Sequence, residues 1–389
     1  MKLRPSPPVS ALVVVSAAFF TDTILYYILV PLLPYYQRTY GLSQTDIGIL
    51  FGCYAASLLF GTIPIGKLGD IVGRRNMMLW GLAGLWGTTL LFAFGNSFSL
   101  LVFARVLQGL SATATWTSGM ALVADHWPAK HRGKAMSTCF AFANLGALAG
   151  PPFSGYISEY WGIRAPFIVA GGIALVDAIL RAWLLQDKQK GVVELIPVRR
   201  LLKNRNLCLY VGVLGMGSGL WAVQESVMPT NFDSRGWSQG VIGLCFAFAA
   251  LAHTLTSPLA GAMADRFSRK KMVVTGLLLT TILLPAPAFV YDLAPTFALM
   301  IGLGLVATLV TSPVSPAVTA AVDSMGTGGG GYSSAFGLLN LSYAAGMMIG
   351  PLLGGIGVDT VGLKPSLLLF GLAFGLYALI IQRLLPDKS

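Results

Sequence analysis

Charge is the scarcest ingredient of this 389-residue sequence: Lys, Arg, Asp and Glu together make up 11% of it, against roughly a quarter of an average globular chain. So few charges cannot cover the surface of a soluble protein of this size, which excludes a string of soluble domains. Histidine is scarcer still, at 3 residues. The 4 cysteines, Cys53, Cys139, Cys208 and Cys245, form no CxxC pair and no Cys/His spacing suited to zinc. They read as small buried apolar residues. A nucleophile elbow, a phosphate loop and a repeated ring of like charges are also missing, so catalysis and ion conduction lose their usual signatures. The chain reads as a non-enzyme without a metal site or cofactor.

What is present is apolar. Hydrophobic residues make up 55% and the mean hydropathy is +0.73. A hydrocarbon core of about 30 Å takes a helix of roughly 20 residues. Apolar runs of that length fall at 9–33, 44–68, 76–95, 98–125, 134–158, 164–186, 206–231, 238–264, 271–291, 295–322, 331–357 and 365–385. The first is too long for a signal-peptide core and lacks a small-residue cleavage site, so it is expected to remain as a span. The expected fold is an all-α integral membrane protein with twelve transmembrane helices. They form an N-terminal six-helix bundle (1–186), a basic cytoplasmic linker (187–205) and a C-terminal six-helix bundle (206–389).

Basic residues are distributed unevenly over the two sides. Lys2 and Arg4, Lys67, Arg74 and Arg75, Lys130, Arg132 and Lys134, six linker residues, Arg266 and Arg269–Lys271, Arg383 and Lys388 share the side of the termini. Only Arg38, Arg164, Arg235 and Lys364 lie on the other. That bias predicts cytoplasmic termini. The net charge of +11 therefore reports topology and contact with anionic lipid headgroups, and nucleic acid is not an expected partner.

The halves repeat. Asp70, within Gly66–Arg75 after span two, is matched 195 residues later by Asp265, within Gly261–Lys271 after span eight, with Arg269 in place of Arg74. Gly150-Pro151 in span five returns as Gly350-Pro351 in span eleven. Two six-helix halves in parallel repeat are the plan of one large class of secondary transporters. Gly66–Arg75 reads as a tight loop in which Asp70 and Arg74 form a latch on the cytoplasmic side.

Polar residues inside the spans are the candidate site. Arg105 lies in span four with Gln108 on the same face, and reads either as a buried group satisfied by carbonyls or as a charge that tunes a nearby carboxylate. Asp22 in span one and Glu225 in span seven begin the two halves, where a central cavity would be lined. A carboxyl group that alternates between water and an apolar cavity can exchange a proton and also suits a cationic substrate. Tyr26, Tyr27, Trp116, Trp221 and Phe142 could supply aromatic surface. Asn144 and Asn340 could line the cavity or join helices. Asp177 and Arg181, four apart, read as a same-helix ion pair. His253 reads as a satisfied interior residue, and His126 and His131 as loop residues. Gly146, Gly150 and Pro151 form a small-residue stripe that permits close helix contact.

These motifs resemble the major facilitator superfamily across essentially the whole chain. Gly66–Arg75 is similar to its signature between helices two and three, Arg105–Gly109 to its helix-four arginine motif, and Gly146–Pro151 to the helix-five motif of its proton-coupled exporters. Within its twelve-helix drug:proton antiporters the chain looks most like the vesicular monoamine transporter branch. Asp22 matches that branch's amine-binding aspartate, and Glu225 matches its helix-seven glutamate. The chain departs from the pattern at Tyr54, Thr311 and Asn340, where the family carries a lysine and two aspartates. The resemblance implies proton-coupled export of a cationic or amphipathic small molecule, such as an amine or drug, by a compact bacterial relative acting as a monomer in the inner membrane. The proton would be the coupling ion. A proton-coupled symporter and a lipid flippase on the same scaffold are the rival readings, since a fold does not fix direction or substrate.

Overall fold

The computed structural model of the protein describes residues 6–185, 198–325 and 328–386, apart from the side chains of 129, 130, 198, 265 and 328–333. Every element among the described residues is helical. The order is α1 (Pro7–Tyr27), α2 (Leu33–Tyr40), α3 (Gln44–Val72), α4 (Arg74–Phe94), α5 (Phe98–His126), α6 (Ala129–Trp161), α7 (Ala165–Leu184) and α8 (Val198–Leu201). It continues with α9 (Arg205–Asp233), α10 (Gln239–Arg266), α11 (Arg269–Leu283), α12 (Leu293–Thr311), α13 (Val314–Ser324), α14 (Gly328–Val361) and α15 (Leu363–Leu384). Among the described residues, eleven stretches are long and apolar enough to cross a membrane. The remaining long helix is α6, whose 33 residues reach about 50 Å at 1.5 Å per residue.

Three of the breaks fall at prolines, although Pro64, Pro151, Pro152, Pro229, Pro258 and Pro351 lie inside continuous helices. The first span is α1 and α2 in series, joined by a single 3-10 turn, Val30–Leu32, that contains Pro31. The tenth is α12 and α13, parted at Pro313. α11 stops ahead of Pro285 and Pro287. In each case the ring removes an N–H that the next helical turn would need. Gly73, at φ 96, makes the turn into α4, a backbone conformation that a side chain would strain.

The chain forms two compact units. Unit 1 comprises residues 1–41, 53–191 and 232–247, and unit 2 comprises 42–52, 192–231 and 248–389. In unit 1, α1 packs on α5, α6 and α7, and α4 packs on α5 and α7. Its core is apolar, built around Val14, Val15, Ala18 and Phe19 of α1 with Leu122, Val123, Cys139 and Leu184. In unit 2, α11 packs on α12 and α15, and α14 on α15.

Three details differ from the sequence reading. Gly66–Val72 is the last part of α3 and not a loop, and the turn is Gly73 alone. His126 closes α5 and His131 lies in the first turn of α6, so both are helical and not loop residues. Cys139 and Cys245 are buried, but Cys53 and Cys208 are only half-buried, and all four are free.

Candidate functional site

In unit 1 the position of α1 is set by backbone contact. A side-chain carbon added at Gly146 of α6 would lie 2.8 Å from the Phe20 carbonyl oxygen, and one at Gly150 would lie 2.7 Å from Tyr27 Cβ. The two glycines thus seat the stretch of α1 that carries Asp22, and Pro151 follows directly. Asp22 is 2% exposed. Its Oδ2 accepts a 2.7 Å hydrogen bond from Trp116 Nε1 on α5, while Oδ1 is buried without a hydrogen-bond partner among the described residues. The Trp116 ring stacks on Phe19 at 3.9 Å, and Phe140 of α6 leans on both rings. Asp22 is therefore a half-satisfied acid walled by aromatic rings, and an unpaired acceptor in such a place is expensive.

A second charged group adjoins it. Arg181 binds Asp177 Oδ2 at 2.5 Å and donates to the Met78 carbonyl at 2.7 Å. This is the same-helix pair expected from the spacing, and both members are buried. The pair lies within electrostatic reach of Asp22.

Arg105 is 1% exposed and donates to Gln108 Oε1 at 2.8 Å. Its guanidinium lies 5.2 Å from the Tyr26 ring centre, 5.7 Å from Tyr54 and 5.5 Å from Phe92. Three rings from α1, α3 and α4 thus enclose the cation, an arrangement that stabilises a desolvated charge. Tyr26 follows Asp22 by four residues, so one face of α1 serves both the acid and the arginine.

Unit 2 has its own polar cluster. Glu225 of α9 is 1% exposed and interacts electrostatically with Tyr343 of α14. Beside it Gln224 donates to the Leu284 carbonyl at 3.2 Å. Trp221, one turn earlier, meets His253 edge-on at 5.7 Å, and His253 Nε2 lies 3.4 Å from Thr311 Oγ1. Leu220, Trp221 and Gln224 line a small crevice with Ala249, Met300 and Leu303. Asn144 and Asn340 both have exposed side chains, and neither makes a hydrogen bond to another described residue.

On the side of the termini, Arg74 binds Asp70 at 2.7 Å and approaches Asp125 of α5 at 4.0 Å. Gly66 marks no close contact, since a side-chain carbon there would meet nothing within 4 Å. Arg269 opens α11. Asp265, the counterpart of Asp70, falls in the last turn of α10, and its side chain lies outside those described. Reading the sequence missed Phe19, Phe92, Phe140 and Asp125. Phe19 had a signal, being one turn before Asp22; the others come from different helices and carried none.

An all-helical chain with half-satisfied acids and buried cations inside its spans is a polytopic membrane transporter in form. The Major Facilitator Superfamily matches residues 15–224 and again 209–389, and the chain belongs to that family. It is 29% identical to the "Probable vesicular acetylcholine transporter-B" of Danio rerio, over 96% of this chain and 79% of that one. It is 27% identical to the human "Chromaffin granule amine transporter", over 86% of this chain and 64% of that one. An uncharacterised MFS-type transporter of Schizosaccharomyces pombe is 30% identical over 88% of both. In fold, the structure matches a bacterial homologue of the human lysosomal transporter Spinster with a TM-score of 0.83, covering 99% of each chain at 15% identity. The protein is thus an integral membrane transporter and not an enzyme.

Proposed function

We propose that this transporter exports a cationic or amphipathic small molecule, such as an amine, in exchange for protons, by alternating access. The observation that carries the reading is Asp22, buried with one oxygen held by Trp116 and the other without a hydrogen-bond partner among the described residues. A proton or a protonated amine would each satisfy that oxygen, and the Phe19, Trp116 and Phe140 rings offer a cation a favourable wall. Two ligands competing for one carboxyl group suffice for exchange. The names of the vesicular acetylcholine and amine transporters support the substrate class.

In this reading Asp22 recognises substrate and proton, Glu225 contributes a second carboxyl group, and Arg105 in its aromatic enclosure tunes the coupling. Trp221, Tyr26, Asn144 and Asn340 would serve the substrate path, and Asp70 with Arg74 the gate on the side of the termini. The two repeats would act as six-helix bundles joined by the basic linker, in a monomer. The termini would be cytoplasmic, on the charge bias, in a bacterial plasma membrane. Each charge moved across 100 mV supplies about 2.3 kcal/mol, enough to drive accumulation.

The test is transport in proteoliposomes that contain a pH-sensitive dye, screened with amines and lipophilic cations. Proton movement opposite to substrate, lost in Asp22→Asn, is the expected result. Movement in the same direction would replace exchange by symport, and no proton movement with any compound would overturn proton coupling.

A further inference from the structure

Basic residues are rare on the side opposite the termini, so the surroundings of each can be followed. Arg38 pairs with Asp233, and Arg235 lies over the Phe232 and Trp237 rings. The other two are Arg164, at the start of α7 in unit 1, and Lys364, at the start of α15 in unit 2. Neither forms an ion pair among the described residues. Each lies instead over an aromatic ring where the third span of its own repeat ends. The Arg164 guanidinium is 5.6 Å from the Phe94 ring centre. The Lys364 ammonium is 5.1 Å from that of Phe289 and 5.5 Å from that of Tyr291. Phe94, Phe289 and Tyr291 are all exposed.

The arrangement is duplicated. Phe94 and Phe289 are 195 residues apart, and Arg164 and Lys364 are 200 apart. These are the offsets that separate Asp70 from Asp265 and Pro151 from Pro351. The turns that deliver the cations match as well, with Gly162 at φ 84 and Gly362 at φ 87. The acids close by in sequence are engaged elsewhere. Glu159 accepts from the Gly240 N–H, and Asp359 caps α3 by accepting from the Gln44 and Thr45 N–H groups. Asp292, beside Tyr291, makes no ion pair with Lys364. A ring face steadies a cation but does not neutralise it. An exposed ring at the end of a span lies at the level of the lipid headgroups. A cation held there has its apolar contact on one side and lacks an anion on the other.

We propose that Arg164 with Phe94, and Lys364 with Phe289 and Tyr291, are two binding sites for anionic phospholipid, one in each unit, in the leaflet opposite the termini. The basic group takes the lipid phosphate, and the exposed rings meet the start of the acyl chains. Arg164 can hold a phosphate through two N–H groups, whereas Lys364 offers a point charge, so the unit 1 site has the stronger preference. Each site is complete within its own unit and is independent of what the protein transports.

The photoreactive residue p-benzoylphenylalanine, placed at Trp161 or at Leu293, would report the lipid beside each site. Both positions are exposed, and they lie close in sequence to Arg164 and Tyr291 respectively. The full chain would be reconstituted in vesicles of equal parts phosphatidylglycerol and phosphatidylcholine and illuminated, and the attached lipid identified by mass spectrometry. Enrichment of phosphatidylglycerol by about fivefold is expected at both reporters. Arg164→Gln should return the reporter at 161 to the vesicle composition and leave that at 293 unchanged, and Lys364→Gln should do the reverse. Phe94→Leu keeps the charge and should lower the enrichment at 161 by about twofold. Equal attachment of the two lipids in the otherwise unaltered chain would overturn the proposal. So would enrichment that survives both Gln variants, which would place the attraction elsewhere. Excess inorganic phosphate, compared with chloride at matched ionic strength, should leave the ratios unchanged; if it abolishes the enrichment, the sites hold soluble phosphate and the lipid assignment fails.

Discussion

The two units share a scaffold but not a chemistry. In unit 1, α6 presses Gly146 and Gly150 against α1; in unit 2, α14 presses Gly346 and Gly350 against Gly215 and Gly219 of α9. The same small residues therefore seat the first helix of each repeat. The buried charges do not follow the repeat. Asp22, Arg105, Asp177 and Arg181 are buried in unit 1, and Glu225 and Lys270 in unit 2. Packing requirements were kept in both halves, and the costly intramembrane charges gathered mainly in one, as expected if they serve a task rather than the fold.

The most forceful way to break this contrast is to remove one acid from each unit. Asp22→Asn should lower substrate-driven proton flux by about 100-fold, or roughly 2.7 kcal/mol, whereas Glu225→Gln should lower it by about 10-fold or less. Equal losses in a dye-loaded proteoliposome assay would erase the asymmetry. Next in size is Arg181→Gln, which strands Asp177 in the interior and should destabilise the protein by about 3–5 kcal/mol. Unfolding in detergent, followed by tryptophan fluorescence, measures this; an unshifted transition would mean that the pair is dispensable. Below it come Gly150→Ala and Gly350→Ala. Their new carbons would lie 2.7 Å from Tyr27 Cβ and 2.7 Å from the Gly219 carbonyl oxygen respectively. Each should cost about 1–3 kcal/mol, and similar values in the two units would sharpen the claim of a duplicated scaffold. Smallest is Arg74→Ala: its pair with the exposed Asp70 should contribute less than about 1 kcal/mol to stability. A thermal-shift change of several degrees would show that this contact is structural.

Much of this was legible in the sequence, for identifiable reasons. Apolar length located eleven of the spans, because lipid demands it, while α6 stands out by its length rather than by its apolar content. The Asp177–Arg181 pair and the Arg105–Gln108 bond follow from helical spacing, which fixes neighbours three and four apart. What stayed hidden depends on contacts between distant segments. The aromatic enclosure of Arg105 draws on α1, α3 and α4, and it gives a physical account of Tyr54: its ring faces Arg105, where a second cation would repel it. The Asp359 cap joins residues 314 and 315 apart. Helix ends were misjudged where one residue decides them, as at Gly73 and Pro313.

The central claim is that proton and amine compete for Asp22, and competition is most directly measured as proton release on binding. Purified protein in weakly buffered solution would be mixed with a saturating amine while pH is followed. Protons released by the wild type, none by Asp22→Asn, and amine affinity that rises with pH only in the wild type are the expected results. An Asp22→Asn variant that binds the amine as tightly and releases as many protons would contradict the account.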